Sequence, residues 1–243
     1  MNRVTLEVLS VIFVATAVRS AFDFGDALIA VPLLALFMPV TAAAPLSVPV
    51  SITIASLVLV QDWRHIQLRG AANLLIATVA GIPIGLLLLT HAPEAIVKVL
   101  LGTLITAFSL YSIRSHHAHL SNDRWAWPFG FVAGILGGAY AMNGPPVAIY
   151  GSLRRWSPAQ FRATLQGYFL PASLVGMGGY WLAGLWTSDV TRFYLASLPV
   201  VAVAVVAGRL ATRRISAGRF HTYVYGGLLI VGTLLLVQSL LTR

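Results

Sequence analysis

Arg19, Asp23 and Asp26 stand close together in a stretch that is otherwise apolar. A carboxylate or guanidinium at membrane depth costs about 2.5 to 3.5 kcal/mol even on insertion scales, so one that is kept marks an ion path, a proton relay or a paired charge. Asp23 and Asp26 are therefore candidates for proton coupling. Asp26 has a second reading, because it directly precedes an apolar run and Asp is a favoured N-cap. Arg19 lies four residues before Asp23, on the same face of a continuous helix. Its planar fork suits an anion's oxygens; equally, it could neutralise Asp23 across one turn.

The string Phe22-Asp23-Phe24-Gly25-Asp26 has a counterpart in Met142-Asn143-Gly144-Pro145-Pro146. A helix that breaks and restarts leaves free N–H groups and a positive dipole end, which favour an anion. Proline at the start of the resumed helix loses no hydrogen bond there. Gly25, Asn143 and Gly144 are thus candidate substrate-binding residues, with a plain tight turn as the alternative. Ser47 and Gln166 lie at matching positions just past the broken hairpin of each half, 119 residues apart. They could line a pocket, or act only as polar glue between helices, as could Tyr140 and Ser51. His116, His117 and His119 form no ligand set with cysteine or paired carboxylates, so a solvated basic loop is the better reading and no metal site is expected.

These residues need elements to hold them at depth. Charged residues make up only 9% of the chain against 58% hydrophobic. A soluble domain carries roughly 25% charged residues, so much of this surface faces lipid. The net charge of +9 sits in short gaps between apolar stretches, the pattern of cytoplasmic loops rather than of a nucleic-acid face. Cysteine is absent, which removes disulfides and thiolate metal sites. A spanning helix needs about 20 apolar residues. Stretches 46–61, 71–89, 95–113, 163–185, 193–208 and 222–241 meet or approach that length, whereas 4–39 and 128–153 are interrupted at the two breaks.

Gly25 to Pro39 and Gly144 to Pro158 are both 14 residues apart. The expected fold is therefore an all-α polytopic membrane protein of two inverted repeats, each a broken re-entrant helix hairpin plus three transmembrane helices. The first repeat would cover 1–115, a cytoplasmic linker 116–127, and the second repeat 128–243. Basic gaps around Arg64 and Arg69, Arg114 and Arg124, and Arg154 to Arg162 are expected inside, with both termini outside. Trp125, Trp127, Trp156, Trp181 and Trp186 read as interfacial anchors. Re-entrant backbone must be shielded from lipid, and small residues such as Gly134, Gly137 and Gly138 permit that close packing.

With Val31-Pro32-Leu33 and Pro39 in one half, and Gly144-Pro145-Pro146, Pro158 and Ala163-Thr164 in the other, the chain resembles the TauE/SafE family of bacterial permeases. Arg64-His65 and Arg69 are family-like too. The resemblance implies two repeats, location in the bacterial inner membrane, and transport of sulfite, sulfonates or related sulfur anions. Two departures fall where a pocket would be lined, at Phe24-Gly25-Asp26-Ala27 and at Pro45-Leu46-Ser47.

The expectation is a secondary transporter of a small anion, working by alternating access at a midplane site between the two tips, with proton coupling through Asp23 or Asp26. An anion channel or a non-transporting membrane assembly protein is the alternative. No enzymatic constellation and no P-loop is found, so neither catalysis nor a cofactor is expected. The expected partners are the small anionic substrate and the lipid bilayer, with no nucleic acid; a homo-oligomer is compatible with such a chain.

Overall fold

A computed structural model describes residues 3–22, 25–62, 68–113, 120, 122–214 and 217–241. Asp23, Arg64-His65, Arg114 and the three loop histidines lie outside these residues. The described chain is all-helical: α1 (Arg3–Phe22), α2 (Asp26–Leu34), α3 (Val40–Asp62), α4 (Leu68–His91) and α5 (Glu94–Ile113) are followed by a short 3-10 turn, Asp123–Trp125. Then come α6 (Ala126–Tyr140), α7 (Gly144–Leu153), α8 (Pro158–Leu182), α9 (Ser188–Arg214) and α10 (Ala217–Leu241). Both sequence breaks are real helix breaks, and each separates a longer helix from one of only 9 or 10 residues.

Several helices start earlier than apolar length alone suggests. α8 begins at Pro158 because Ser157 and Gln160 form a capping box: Gln160 N–H donates to Ser157 Oγ, and Ser157 N–H donates to the Gln160 side chain. α3 runs through Pro45 and Pro49, which membrane-buried helices tolerate because neighbours and hydroxyl side chains re-satisfy the freed backbone groups. The Ser47 and Thr53 hydroxyls bond back one turn to the carbonyls of Ala43 and Pro49, neither of which is a carbonyl left free by a proline. Among the described residues, three helices are long and apolar enough to cross a membrane, namely Ala71–His91, Glu94–Ser112 and Ser188–Gly208, with shorter apolar stretches at Val40–Ser56 and Leu228–Ser239. α1 spans 20 residues, about 30 Å of axis, whereas α6, with 15, covers only about 22 Å.

The packing exchanges the two groups of five helices. α4 lies against α6 and α9 against α1; α4 meets α8 and α3 meets α9; α3 pairs with α8 and α5 with α10. The tightest crossing is made by glycines. A Cβ at Gly85 on α4 would collide with the Ile135 carbonyl and stand 2.9 Å from the Gly138 Cα of α6. At the corresponding crossing of α9 on α1, a Cβ at Gly208 would strike the Ala17 carbonyl. Backbone therefore meets backbone, as small-residue helix pairs in membranes require. Large apolar side chains such as Leu182, Val203 and Ile230 point outward and are more than half exposed, a surface that suits lipid.

Candidate anion site at the first helix break

The first break is made by Gly25, whose φ of 98° is left-handed and open to glycine at no steric cost. The Ile29 N–H reaches back 3.2 Å to the Gly25 carbonyl, so α2 winds up immediately afterwards. Asp26 becomes the first residue of α2 rather than its cap, and Gly25 takes the N-cap position. This places the Asp26 carboxylate against the end of α1.

Arg19, in the last turn of α1, is 1% exposed and Asp26 is 7% exposed. Arg19 Nη1 lies 2.6 Å from Asp26 Oδ2 and 2.6 Å from Ser51 Oγ on α3, to which it donates a hydrogen bond. The Asp26 contact is a close ion pair without hydrogen-bond alignment, since Oδ2 has no hydrogen-bond partner. Arg19 Nη2 donates to Gln166 Oε1 at 3.0 Å. The guanidinium also lies over the Phe169 ring, 5.3 Å from its centroid. Arg19 Nε and, one turn earlier on α1, Thr16 Oγ1 are buried with no hydrogen-bond partner. A cavity of about 10 Å³ adjoins Asp26, lined also by Ile12, Ala15, Ala30, Ser47 and Val50. A void of that size holds about one water.

Arg19, Asp26 and Gln166 thus come together, with Ser47 across the small cavity and Gly25 as the joint. Arg19 pairs with Asp26, seven positions on, not within one helical turn. Asn143 and Gly144 form the second joint. There Ala141 ends α6 at φ 57°, and α8 clasps it: Tyr180 O–H donates to the Gly137 carbonyl at 2.8 Å and accepts from Ala141 N–H at 3.1 Å. Asn143 occupies the N-cap position of α7 but its side chain makes no capping bond; its helical ψ of −11° departs from the extended geometry that usual capping uses. Among the described residues no contact joins Asn143 or Gly144 to Arg19. Among the described residues no group of three His, Asp or Glu could hold a metal ion.

In the sequence Ser51 stands out only as an intramembrane polar group, and Phe169 and Thr16 do not stand out from the apolar stretches around them. The helical spacing carried the signal: Ser51 is one turn beyond Ser47, Phe169 is three residues after Gln166, and Thr16 is three before Arg19.

An arginine is thus held almost fully buried in an apolar helical bundle by residues of α2, α3 and α8, with its charge paired by Asp26. Residues 8–235 match the sulfite exporter TauE/SafE family. The chain belongs to the TauE/SafE sulfite exporter family. The match takes in both helix breaks and nearly the whole chain, and this is a family of membrane transporters, not enzymes. No curated protein and no solved structure matches the chain. A second, larger depression of about 510 Å³ lies between α5, α6 and α7, lined by Leu104, Phe108, Phe129, Leu136, Pro146 and Ile149 among others. Its walls are apolar, in contrast to the charged and polar side chains gathered around Arg19.

Proposed function

We propose that the protein is a secondary transporter of a small sulfur-containing anion, sulfite or a sulfonate, working by alternating access at the Arg19 cluster and coupled to proton movement through Asp26. The observation that carries this reading is the buried Arg19, held from the first five helices by Asp26 and Ser51 and from the second five by Gln166 and Phe169. A site shared by both halves must change when one half moves against the other. Arg19 lies 12 residues beyond Glu7, the preceding charged residue, about 18 Å along α1. In a hydrocarbon core about 30 Å thick that is near the midplane.

The two groups of five helices are read as inverted repeats, which the exchange of packing partners supports. They differ in one respect. α5 and α10 both pack on α2, while the apolar groove separates α5 from α6 and α7. A rocking motion that closes this groove and loosens α2 would open the Arg19 cluster. Only about 10 Å³ is open beside Asp26, and a sulfur oxyanion is several times larger than one water, so this reading requires the cluster to open before substrate enters.

The test is sulfite flux in proteoliposomes. Protein-dependent sulfite counterflow, lost in Gln166→Leu, is the expected result. Flux no greater than in empty liposomes for sulfite, thiosulfate, taurine and sulfoacetate would remove the reading. Conductance far above transporter turnover would replace it with an anion channel.

A further inference from the structure

We propose that Asp26 is a tethered stand-in for the transported anion: its carboxylate occupies, on Arg19, the seat of a small monoanionic sulfur head group such as bisulfite or a sulfonate. Anion binding and release of Asp26 from Arg19 are then one event. The inference rests on the transport reading above and names the ligand class of the same site.

Charge is the first ground. A guanidinium 1% exposed needs one negative partner, because an unpaired buried charge is strongly unfavourable. A second anion beside an ionised Asp26 would leave the cluster with net charge −1. The two must therefore take turns. When the anion enters, Asp26 leaves as the neutral acid: a proton from the aqueous side forms an O–H bond on its carboxylate, and the cluster is neutral before and after. One proton accompanies one monoanion, and a dianion such as sulfate would not balance.

Geometry is the second ground. Asp26 lies against Nη1 without an aligned hydrogen bond, while Nη1 donates to Ser51. The Nε–H donor of Arg19 and the Thr16 hydroxyl are buried and unpartnered. The donors of the guanidinium are thus not exhausted by Asp26, and an SO3 group offers three oxygens where a carboxylate offers two. Space is the third ground. The cavity beside Asp26 is about 10 Å³, too small for an SO3 group, so an anion entering from that side needs the room the carboxylate now fills. Asp26 directly follows the left-handed Gly25 and opens a helix of only 9 residues, so a small turn at that joint withdraws it.

Among the described residues the charged surroundings of Asp26 are simple. Arg19 faces it from α1, and α3 presents the uncharged Ser47 and Ser51. On α5 the charged residues are Glu94 and Lys98, which pair with each other at 3.0 Å. The described side chains of α10 include no charged residue.

The test uses the full chain purified in detergent and methanesulfonate, a monoanion whose own charge is constant over the range measured. Calorimetric titration of the wild type between about pH 8 and pH 5 should show binding that tightens as pH falls, approaching about 10-fold per pH unit for one linked proton. Asp26→Asn, which removes the competing charge, should bind at least about 10-fold tighter than wild type at neutral pH and lose that pH dependence. Sulfate should bind more weakly than methanesulfonate to both. A flat wild-type profile overturns the inference even where Asp26→Asn does not fold, as does a folded Asp26→Asn that binds no tighter. Sulfite flux with either negative result leaves the transport reading standing. Tight, pH-independent binding to Asp26→Asn in a protein that carries no sulfur anion would keep the seat and remove the transport reading.

Discussion

Arg19→Lys keeps the positive charge and removes the fork. The lysine ammonium is one nitrogen, so it can replace Nη1 between Asp26 and Ser51, both 2.6 Å from that atom, but cannot also donate to Gln166 as Nη2 does. The lost contact is a charge-assisted hydrogen bond, about 1.5–3 kcal/mol net. Part of the guanidinium's interaction with Phe169 goes with it, roughly 0.5–1 kcal/mol. The sum is about 2–4 kcal/mol. For a chain of this length each kcal/mol moves the melting temperature by about 2–4 °C, so a fall of about 5–15 °C is expected. Thermal unfolding in detergent followed by intrinsic tryptophan fluorescence measures it, with sulfite flux in parallel. A melting temperature within about 2 °C of wild type would refute the reasoning, because Gln166 and Phe169 would then contribute little to holding the cation.

Two further substitutions, with Gly226→Ala as a control, probe the scaffold that positions the site. Gly85→Ala places a methyl against the α6 backbone, whose Ile135 carbonyl cannot rotate away; the helices must part, and a loss of about 1–3 kcal/mol should appear as a lower melting temperature, whereas Gly226→Ala, which meets nothing within 4 Å, should leave it unchanged. Tyr180→Phe removes the hydroxyl that bridges Gly137 and Ala141 and should cost about 1–3 kcal/mol, read as faster amide exchange at Ala141 while Arg19-dependent anion binding persists.

Much of the organisation was legible in the residues themselves. The break at Gly25 and the restart of α7 at Gly144-Pro145-Pro146 follow from local chemistry, since glycine accepts a positive φ and proline suits the first turn of a helix, whereas the left-handed Ala141 that ends α6 is held by Tyr180 of α8. Composition fixed the solvent for the same reason: an outer surface so poor in charge is unfavourable in water. The start of α8 was legible too, but as the Ser157–Gln160 capping box and not as apolar length, which is why a hydropathy reading placed it several residues late.

Partnership was decided by the tertiary structure. In the sequence Asp23 is the natural mate of Arg19, because helical spacing brings residues four apart onto one face. The left-handed turn at Gly25 reverses the chain and carries Asp26 to Arg19, a contact no helical period encodes. Likewise Ser47 and Ser51 share one face of α3, and only the reach of the Arg19 side chain to α3 in the folded state selects Ser51 and leaves Ser47 on the cavity. Gln166 is distant in sequence and joins the cluster through the packing of α3 on α8. Sequence by itself determined where the helices break, which solvent surrounds them and which polar groups are held at depth, because those follow from short-range sterics and transfer free energies. Which polar group neutralises which was left to the folded state, because an ion pair depends on distance in space, and inside a helical bundle that distance is set by packing between segments far apart along the chain.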